Sequence, residues 1–334
     1  MPSLDSLTPD DYQKVILGLT AERTIVVKGV AGSGKSLTLL KKAKQVSTFS
    51  QSYAIIVYTK SLKQFFVDEL AEIGQTEGYV YYFEEWKRSE KPNYTYLFVD
   101  ECQDFNAAEI QEFKAHGKYC WFFGDTNQSI MNFKPTAYSL GHTVQDVEKT
   151  AKQIGVVPQD LCINHRLTVE NAKVGEYIRP KSHLSFACYK HGPKPLQINS
   201  NNQLDEIIRI LTNEQRRDVG IIVYYVRQVE MIRDYLAQKG IPVAWKTGDG
   251  MDLDFKTTNP KIITFHCAKG LQFTDVFLPY CESFRYEDEK AALYVATTRP
   301  LEQMYIIYSG SLCAFLPPAT SDIYANALIQ NGPF

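Results

Sequence analysis

The segment GVAGSGKS, at residues 29–36, limits the folds open to this chain more than any other part of its sequence. It follows a β-branched run, TIVVK, and precedes a helical pattern, LTLLKKAKQV. The segment matches the phosphate-binding pattern G-x-x-x-x-G-K-[ST] in the strand–loop–helix context that this pattern requires. A chance turn rich in Gly and Ser is the alternative, and the satisfied context argues against it. The sequence therefore predicts a phosphate loop.

The rest of the chain alternates short apolar runs with helical patterns. The first half contains TIVVKG, YAIIVYT, YTYLFVD and YCWFFGD, and the second half contains VGIIVYYV, KIITFHC, TDVFLPY and MYIIYSG. Nearly continuous apolar strands separated by helices are typical of parallel sheets that are covered on both faces. We expect two α/β domains in tandem, residues 1–157 and 158–334, with the boundary just before Pro158.

Charge and cysteine content limit the kinds of partner and the cellular compartment that we expect for the protein. The formal net charge is −2, so contact with nucleic acid would need a local basic groove. Seven cysteines without close pairs fit neither a disulfide framework nor a zinc-ligand spacing. The first residues lack a signal-peptide pattern, and no apolar run reaches membrane-spanning length. We expect a cytoplasmic protein with no membrane partner.

The phosphate loop assigns roles to its own residues. Glycines tolerate the dihedral angles that let backbone N–H groups surround phosphates, and the following helix N-terminus favours negative charge. Lys35 is expected to reach the β- and γ-phosphates of ATP, and Ser36 to bind Mg²⁺. The predicted nucleotide-binding residues of the loop are Gly29, Ala31, Gly32, Ser33, Gly34, Lys35 and Ser36.

A pair of acids follows the apolar strand in LFVDECQDF. Carboxylates at the end of such a strand emerge at the sheet edge where the phosphate loop lies. We expect Asp100 to hold Mg²⁺, and Glu101 to orient and deprotonate the attacking water. Alone, an Asp-Glu pair after a strand is usually only a solvated strand end, so the prediction depends on the phosphate loop.

These two motifs and FGDTNQSI at residues 123–130 resemble those of superfamily 1 helicases of the UvrD/Rep/PcrA type. Four further segments resemble motifs of that family in the family's order: YTKSL (58–62), INHRL (163–167), TFHCAKGLQF (264–273) and LYVATTRP (293–300). The resemblance spans nearly the whole chain. It implies two tandem RecA-like P-loop NTPase domains, with mainly parallel sheets flanked by helices.

The resemblance also implies which residues act on ATP. Gln128 would sense the γ-phosphate, while Arg166 and Arg299 would reach it from the second domain and neutralise charge during phosphoryl transfer. Cleft closure on ATP would then couple hydrolysis to domain motion. Lys35 and Glu101 complete the predicted catalytic set.

Four more residues are implied in nucleotide binding. Gln13 would read the adenine edge, with a surface helix position as the alternative. His165 replaces a family tyrosine that stacks on adenine, and Gln272, beside Gly270, replaces an acidic residue at the ribose. The chemistry of these replacements predicts altered nucleotide affinity rather than lost catalysis.

For nucleic acid, stacking on aromatic faces combined with phosphate contacts is the usual mode of single-strand binding. The resemblance places the following residues on that surface: Tyr58, Thr59, Lys60, Phe133, Lys134, His266 and Lys269. An aromatic residue after a strand is, however, ordinarily part of a core.

Together these features predict an ATP-dependent DNA helicase or translocase that acts on single-stranded or tailed DNA, moving 3′ to 5′. The intervals from Lys60 to Asp100 and from Arg166 to Thr264 leave little room for accessory subdomains. That shortage motivates an alternative, a regulatory ATPase subunit of a nuclease complex with little unwinding of its own. A nucleotide-gated binding module without hydrolysis is a third reading, and the presence of both Glu101 and Arg299 argues against it.

Overall fold

A computed structural model describes residues 8–48, 52–72, 80–130, 143–213, 218–247, 253 and 257–325. The chain divides into two compact units, Met1–His165 and Arg166–Phe334.

The first unit is built on a sheet of six parallel strands with helices around it. Its strands are β1 (Ile25–Gly29), β2 (Tyr53–Val57), β3 (Val80–Tyr82), β4 (Tyr94–Val99), β5 (Gly117–Gly124) and β6 (Gln159–Leu161). Its helices are α1 (Asp11–Gly18), α2 (Lys35–Ser47), α3 (Lys60–Glu72), α4 (Phe83–Arg88), α5 (Ala107–His116) and α6 (Val147–Ile154). The strand order is β3-β2-β4-β5-β1-β6.

Both faces of this sheet are covered, because successive side chains of a strand point to opposite faces. Val27 and Ile55 belong to one hydrophobic cluster, whereas their neighbours Val26 and Ile56 belong to another. All four side chains are fully buried. Burial on both faces explains why the central strands are continuous apolar runs in the sequence.

The domain boundary predicted before Pro158 falls ahead of β6. That strand pairs with β1, in register Val27 with Gln159 and Gly29 with Leu161. Residues 159–161 are therefore part of the first sheet, and the first compact unit extends to His165.

The second unit has a similar construction. Its strands are β7 (Asn164–Thr168), β8 (Cys188–Lys190), β9 (Leu196–Asn199), β10 (Val219–Val223), β11 (Ala244–Lys246), β12 (Lys261–Thr264), β13 (Phe273–Leu278) and β14 (Pro300–Tyr308). The first two residues of β7 belong to the first unit. Its helices are α7 (Val169–Ile178), α8 (Gln203–Asn213), α9 (Val226–Gln238) and α10 (Glu287–Thr297). Six strands form a parallel sheet in the order β11-β12-β10-β13-β14-β9, and β7 pairs with β8 separately.

The expected fold class, tandem RecA-like α/β domains with parallel sheets flanked by helices, is confirmed. Parallel strands bring all their carboxyl ends to one edge of a sheet, where ligand-binding loops collect. All seven cysteines are free thiols. Among the helices of the described residues, none combines the length and the apolar character needed to span a membrane.

Candidate nucleotide site and nucleic-acid surface

The phosphate loop joins the carboxyl end of β1 to the start of α2. Gly32 and Gly34 have φ angles of 72° and 78°, in the left-handed region that glycine adopts without strain. A Cβ atom on Gly29 would lie 2.3 Å from Ser33 Oγ, and one on Gly34 would lie 2.4 Å from Gln13 Nε2. A side chain at either glycine would therefore displace Ser33 or Gln13, and at Gly34 it would also be strained by the positive φ.

Two polar groups of the loop are suited to an anionic ligand. Lys35 is 7% exposed, and its Nζ donates to the carbonyl oxygens of Gly29 (3.0 Å) and Val30 (3.1 Å). The Ser33 hydroxyl is buried without a hydrogen-bond partner. A buried polar group without a partner is costly, and a phosphate oxygen would satisfy it. The loop therefore fits the triphosphate that its sequence predicts.

Ser36 and Asp100, the two residues predicted to bind Mg²⁺, contact each other. Ser36 Oγ donates to Asp100 Oδ2 at 2.8 Å, and Asp100 is fully buried. Burial, and then the charge of Glu101, raise the pKa of Asp100, while the Ser36 hydroxyl and Lys35 oppose this rise. Hydroxyl and carboxylate oxygens are ligands that suit Mg²⁺, and a nearby positive charge would relieve the buried carboxyl pair. When bound, Mg²⁺ neutralises charge on the phosphates.

Glu101 lies directly beside this pair and is held in an unusual conformation. Its φ of 51° is left-handed, which is uncommon for a residue other than glycine. Gln103 Nε2 donates to Glu101 Oε2 at 2.5 Å, so the carboxylate has a fixed position. Sparsely populated backbone conformations cluster at functional sites. The geometry agrees with a role in which Glu101 orients a water molecule.

A buried polar chain connects Glu101 to Gln128. Gln103 Oε1 accepts from the Asp125 backbone N–H at 2.9 Å, and Asp125 Oδ2 accepts from Gln128 Nε2 at 2.9 Å. All four residues are at most 5% exposed. Sequence reasoning predicted Glu101 and Gln128 and missed Gln103 and Asp125, although both lie inside the quoted motifs. Their polarity between apolar strand ends is the signal that could have identified them.

Gln13 and His165, two of the residues expected to contact the adenine base, both form hydrogen bonds with Asp10. Gln13 is only 3% exposed, so the alternative of a surface helix residue is wrong. Its Nε2 donates to the Ser33 carbonyl at 3.0 Å, and its Oε1 accepts from the Asp10 backbone N–H at 3.2 Å. His165 Nε2 lies 2.5 Å from Asp10 Oδ2, and the His165 backbone N–H donates to the Gly32 carbonyl. Gln13 and His165 are therefore both fastened to the phosphate loop region.

In the second unit, the motif arginines and Gln272 lie close together. Arg166 donates from Nε to Gln272 Oε1 (3.2 Å) and from Nη1 to the Thr298 carbonyl (3.3 Å). Arg299 is 1% exposed and donates to the carbonyls of Val295 and Leu271 and to Thr298 Oγ1. The segment around Gly270, whose φ is 81°, therefore links the two arginines. This cluster precedes β13 and β14 and so lies at the amino edge of the sheet.

Three of the predicted nucleic-acid contacts follow β2 in the first unit. Tyr58 is partly exposed, with its ring 5.8 Å from Phe83 and 5.3 Å from Phe105. Thr59 Oγ1 accepts the Leu62 backbone N–H, and the Lys60 ammonium lies 5.2 Å from the Tyr82 ring. These residues share the carboxyl edge with the phosphate loop. Phe133 and Lys134 lie outside the described residues.

Two other predicted contacts follow β12 in the second unit. The ring of His266 lies 6.4 Å from that of Tyr224, and burial, with Lys269 nearby, lowers the pKa of His266. Lys269 is 1% exposed. Lys269 is buried to the same extent as Arg299, and its predicted contact with nucleic acid stays a prediction. His266 remains at the carboxyl edge of the second sheet.

Comparison with known proteins places this geometry in a family. The family model described as the viral superfamily 1 RNA helicase core domain matches residues 25–308, which is most of the chain. No curated protein sequence matches the chain.

Solved structures give weaker likenesses. The chain is similar to arterivirus nonstructural protein 10, a helicase, at 16% identity and a TM-score of 0.48, covering 91% of this chain and 63% of that one. A complex of the same helicase with DNA is similar at 16% identity and a TM-score of 0.48, and the match covers 91% of this chain and 64% of that one. The C-terminal domain of a possible DNA helicase from Lactobacillus plantarum WCFS1 gives 18% identity and a TM-score of 0.39, covering 48% and 98%.

The chain thus spans slightly less than two thirds of the arterivirus helicase. The family match includes the phosphate loop, the acidic pair, Gln128 and both motif arginines. The expectation of a superfamily 1 helicase is confirmed, and this chain belongs to the viral superfamily 1 RNA helicase core family.

Proposed function

We propose that this superfamily 1 helicase is an ATP-dependent translocase on single strands, UvrD/Rep/PcrA-like in its motifs, which takes single-stranded or tailed DNA and moves 3′ to 5′. The observation that carries the proposal is the buried polar chain from Glu101 through Gln103 and Asp125 to Gln128 beside the phosphate loop. Burying so many polar side chains costs free energy. A role of this hydrogen-bonded network in function explains why the protein keeps it.

In this proposal each residue of the first unit has a definite task. Lys35 binds the phosphates of the nucleotide, and Ser36 and Asp100 hold Mg²⁺. Glu101, fixed by Gln103, orients the attacking water and accepts its proton. Gln128 senses the γ-phosphate, and its hydrogen bond to Asp125 relates that contact to the position of Glu101.

Arg166 and Arg299 are proposed to stabilise charge in the same reaction. A guanidinium group placed on the transferred phosphoryl group contributes about 10³–10⁵-fold to turnover in related chemistry. The two arginines share Thr298 and the Leu271–Gln272 pair as hydrogen-bond partners, which supports a concerted role.

Replacement of the proposed base tests the assignment directly. Glu101→Gln removes the proton acceptor and keeps the shape, so we expect ATP binding to persist while turnover falls by at least about 100-fold. Phosphate release and equilibrium binding of ATP measure the two effects separately. Glu22→Gln, at an exposed position, is the matched control. Unchanged phosphate release by Glu101→Gln would refute the assignment.

Substrate and polarity need a second experiment. Duplexes with a 3′ or a 5′ single-stranded tail, each made of DNA or of RNA, are offered with ATP and Mg²⁺. We expect strand displacement or translocation along the 3′-tailed DNA. The match to a family of RNA helicases makes the RNA arm essential. A preference for RNA or for the 5′ tail would contradict that part of the proposal. The regulatory-subunit alternative remains a prediction.

A further inference from the structure

A groove of about 550 Å³ lies at the outer edge of the second sheet. Tyr177, near the end of α7, lines one part of it, and residues of the segment 310–319 line another. The remaining lining residues that the structure describes are Asn199 of β9 and Tyr308 of β14. The groove is therefore distinct from the loop after β12, where contact with nucleic acid was predicted.

Hydrogen bonds hold the segment 310–319 against strand β9. Asn199 Nδ2 donates to the Gly310 carbonyl at 3.0 Å, and Asn199 Oδ1 accepts from the Gly310 N–H at 3.1 Å. Gln197 Nε2 donates to the Ala319 carbonyl, and Gln197 Oε1 accepts from the Tyr308 hydroxyl at 2.9 Å. Because both ends of the segment are fixed to the sheet, the groove is formed before a ligand arrives. Preorganisation of this kind lowers the entropic cost of binding.

The lining of the groove is uncharged. Leu312, Ala314 and Pro318 contribute apolar groups, together with the rings of Tyr177 and Tyr308. Among the lining residues that the structure describes, none is an acid, a lysine, an arginine or a histidine. Pockets of roughly 300–1,000 Å³ with a lining of this kind bind apolar groups. In protein interfaces they commonly hold the aromatic or aliphatic side chain that anchors the partner.

Two further exposed rings adjoin the groove. Phe186 is 83% exposed and Tyr189 is 58% exposed, while Tyr177 is 44% exposed. Glu176, the neighbour of Tyr177 in α7, accepts from the Ser185 backbone N–H at 2.8 Å, and this bond holds the segment that carries Phe186 beside the helix end. We call Tyr177, Phe186 and Tyr189 the aromatic face. Large apolar side chains that are exposed together commonly mark a surface for protein binding.

The segment that carries the aromatic face is basic. Residues 170–194 contain five Lys or Arg residues and two Glu residues, whereas the whole chain has a net charge of −2. Both glutamates accept hydrogen bonds from backbone N–H groups of this segment. Lys181 and Lys190, which stand on either side of Phe186 in the sequence, are exposed. Charge complementarity therefore favours an anionic partner.

An acidic segment of a protein fits these features better than a strand of nucleic acid does. A strand carries one phosphate for each base, so a base in the groove would bring a charge close to an uncharged lining, and unpaired charges are costly to bury. An acidic peptide carries its charges and its apolar side chains on separate residues. It can place an apolar side chain in the groove while its carboxylates reach the lysines.

We propose that the groove and the aromatic face together bind an acidic segment of a partner protein. One apolar side chain of that segment enters the groove against Tyr177. Neighbouring carboxylates of the segment contact Lys181 and Lys190, and the rings of Phe186 and Tyr189 pack on the segment between them. This protein-binding site is additional to the proposed movement along single strands and does not depend on it.

The test is the affinity of the full chain for two fluorescently labelled polymers, measured by anisotropy. One is a glutamate-rich copolymer of glutamate and tyrosine, and the other is polyglutamate. We expect the copolymer to bind at least about fivefold more tightly, because only the copolymer has side chains that can enter the groove.

Two variants test the two parts of the site separately. Phe186→Ala removes the most exposed ring, and Ala314→Glu places a carboxylate in the groove at an exposed position. We expect each variant to bind the copolymer at least about fivefold more weakly. The matched controls are Tyr286→Ala, which removes a ring that is 67% exposed elsewhere in the second unit, and Ala237→Glu, at an exposed position of α9. Because all four positions are exposed, folding should be kept, and the Tm of each variant checks this.

Three outcomes would overturn the assignment. The first is equal affinity of the wild type for the two polymers. The second is binding of the copolymer by Phe186→Ala and Ala314→Glu that matches binding by their controls. The third is a loss confined to nucleic acid, in which these variants bind labelled polythymidine more weakly and the copolymer as the wild type does. The proposed function is tested by ATP hydrolysis and strand displacement, so it stands or fails separately.

Discussion

Glu101 combines a strained backbone with a carboxylate that a neighbouring amide holds in place. The left-handed φ of 51° costs conformational energy, and it persists because Gln103 and the buried strand end over-determine the position. The same amide accepts from the backbone at Asp125, so the two loops that follow β4 and β5 are fixed to one another. The orientation of Glu101 is thus a property of the pair of loops.

Loss of the Gln103 amide should therefore impair the chemical step. In Gln103→Met the side chain keeps its length but holds neither Glu101 nor the Asp125 N–H. We expect kcat for ATP hydrolysis to fall about tenfold or more, with a smaller change in KM. Without the hydrogen bond from Gln103, the Glu101 carboxylate would rarely adopt the orientation that the reaction needs. Gln145→Met, whose amide contacts Thr150 and Gln153, is the control. Equal kcat values in the two variants would contradict the positioning role.

Lys42 allows a prediction about pH. Its Nζ donates to the carbonyls of Leu17 and Leu19 and lies 4.9 Å from the Trp121 ring, and burial lowers its pKa to about 8 from the ordinary 10.5. The unfolded chain then binds the proton more tightly than the folded chain. This penalty is present at neutral pH and disappears between pH 8 and 10.5, so stability due to Lys42 rises across that window.

Urea unfolding of the wild type and of Lys42→Met at several pH values measures this effect. We expect the free energy of unfolding of the wild type to increase relative to that of Lys42→Met as the pH rises from 8 toward 10.5. Titration of tyrosines and cysteines is common to both proteins and cancels in the difference. A difference that stays constant or falls with pH would show that the Lys42 pKa is not lowered.

At the scale of elements, sequence reasoning located the central strands and missed most of the edges. The runs that became β2, β4, β5 and β10 are buried on both faces and so are continuously apolar. Edge strands β6, β9 and β11 are short and partly exposed, so they have no such pattern. In the segment YVYYFEEWKR, which has the alternation of a strand, Val80–Tyr82 pair with β2 and α4 begins at Phe83.

Part of the candidate site could likewise be predicted from the sequence, and part could not. The order of strand, loop and helix was sufficient to place Lys35, Ser36 and Asp100, because parallel strands bring their ends together. The contact between Gln103 and Asp125 joins two strands that are far apart in sequence and depends on side-chain packing. Neither spacing nor composition encodes such a contact.

Close packing of strand β10 against β13 predicts a cost for added volume. A Cβ atom on Gly220 would lie 2.4 Å from the Phe273 ring, whereas one on Gly18 meets no atom within 4 Å. We expect Gly220→Ala to lower the free energy of unfolding by about 1–3 kcal/mol. The control, Gly18→Ala, should change it by less than about 0.5 kcal/mol. Chemical denaturation measures both, and equal stabilities would mean that Phe273 can move aside at no cost.

At the scale of the whole molecule, the chain consists of two compact units that each carry part of the predicted catalytic set. The phosphate loop, Asp100 and Glu101 belong to the first unit, and Arg166 and Arg299 to the second. We therefore expect ATP hydrolysis to require both units, and nucleotide binding to depend mainly on the first.

Arg166→Ala tests this division of labour. It removes a side chain that is partly exposed, so the risk to folding is lower than for the fully buried Arg299. We expect the ATPase rate to fall by about 10³-fold or more, with ATP affinity changed much less. The control is Arg179→Ala, because Arg179 is also a partly exposed arginine of the second unit and lies outside the motifs. Full activity of Arg166→Ala would remove this arginine from the mechanism.

We propose that single-stranded nucleic acid stimulates ATP hydrolysis at a site whose phosphate-binding residue is Lys35. The most direct measurement is the steady-state rate of ATP hydrolysis, at low salt, with and without single-stranded DNA or RNA, for the wild type and for Lys35→Ala. We predict a rate in the wild type that increases severalfold with a single strand and is lost in Lys35→Ala in both conditions. A wild-type rate that ignores both strands, or one that survives in Lys35→Ala, would contradict the claim.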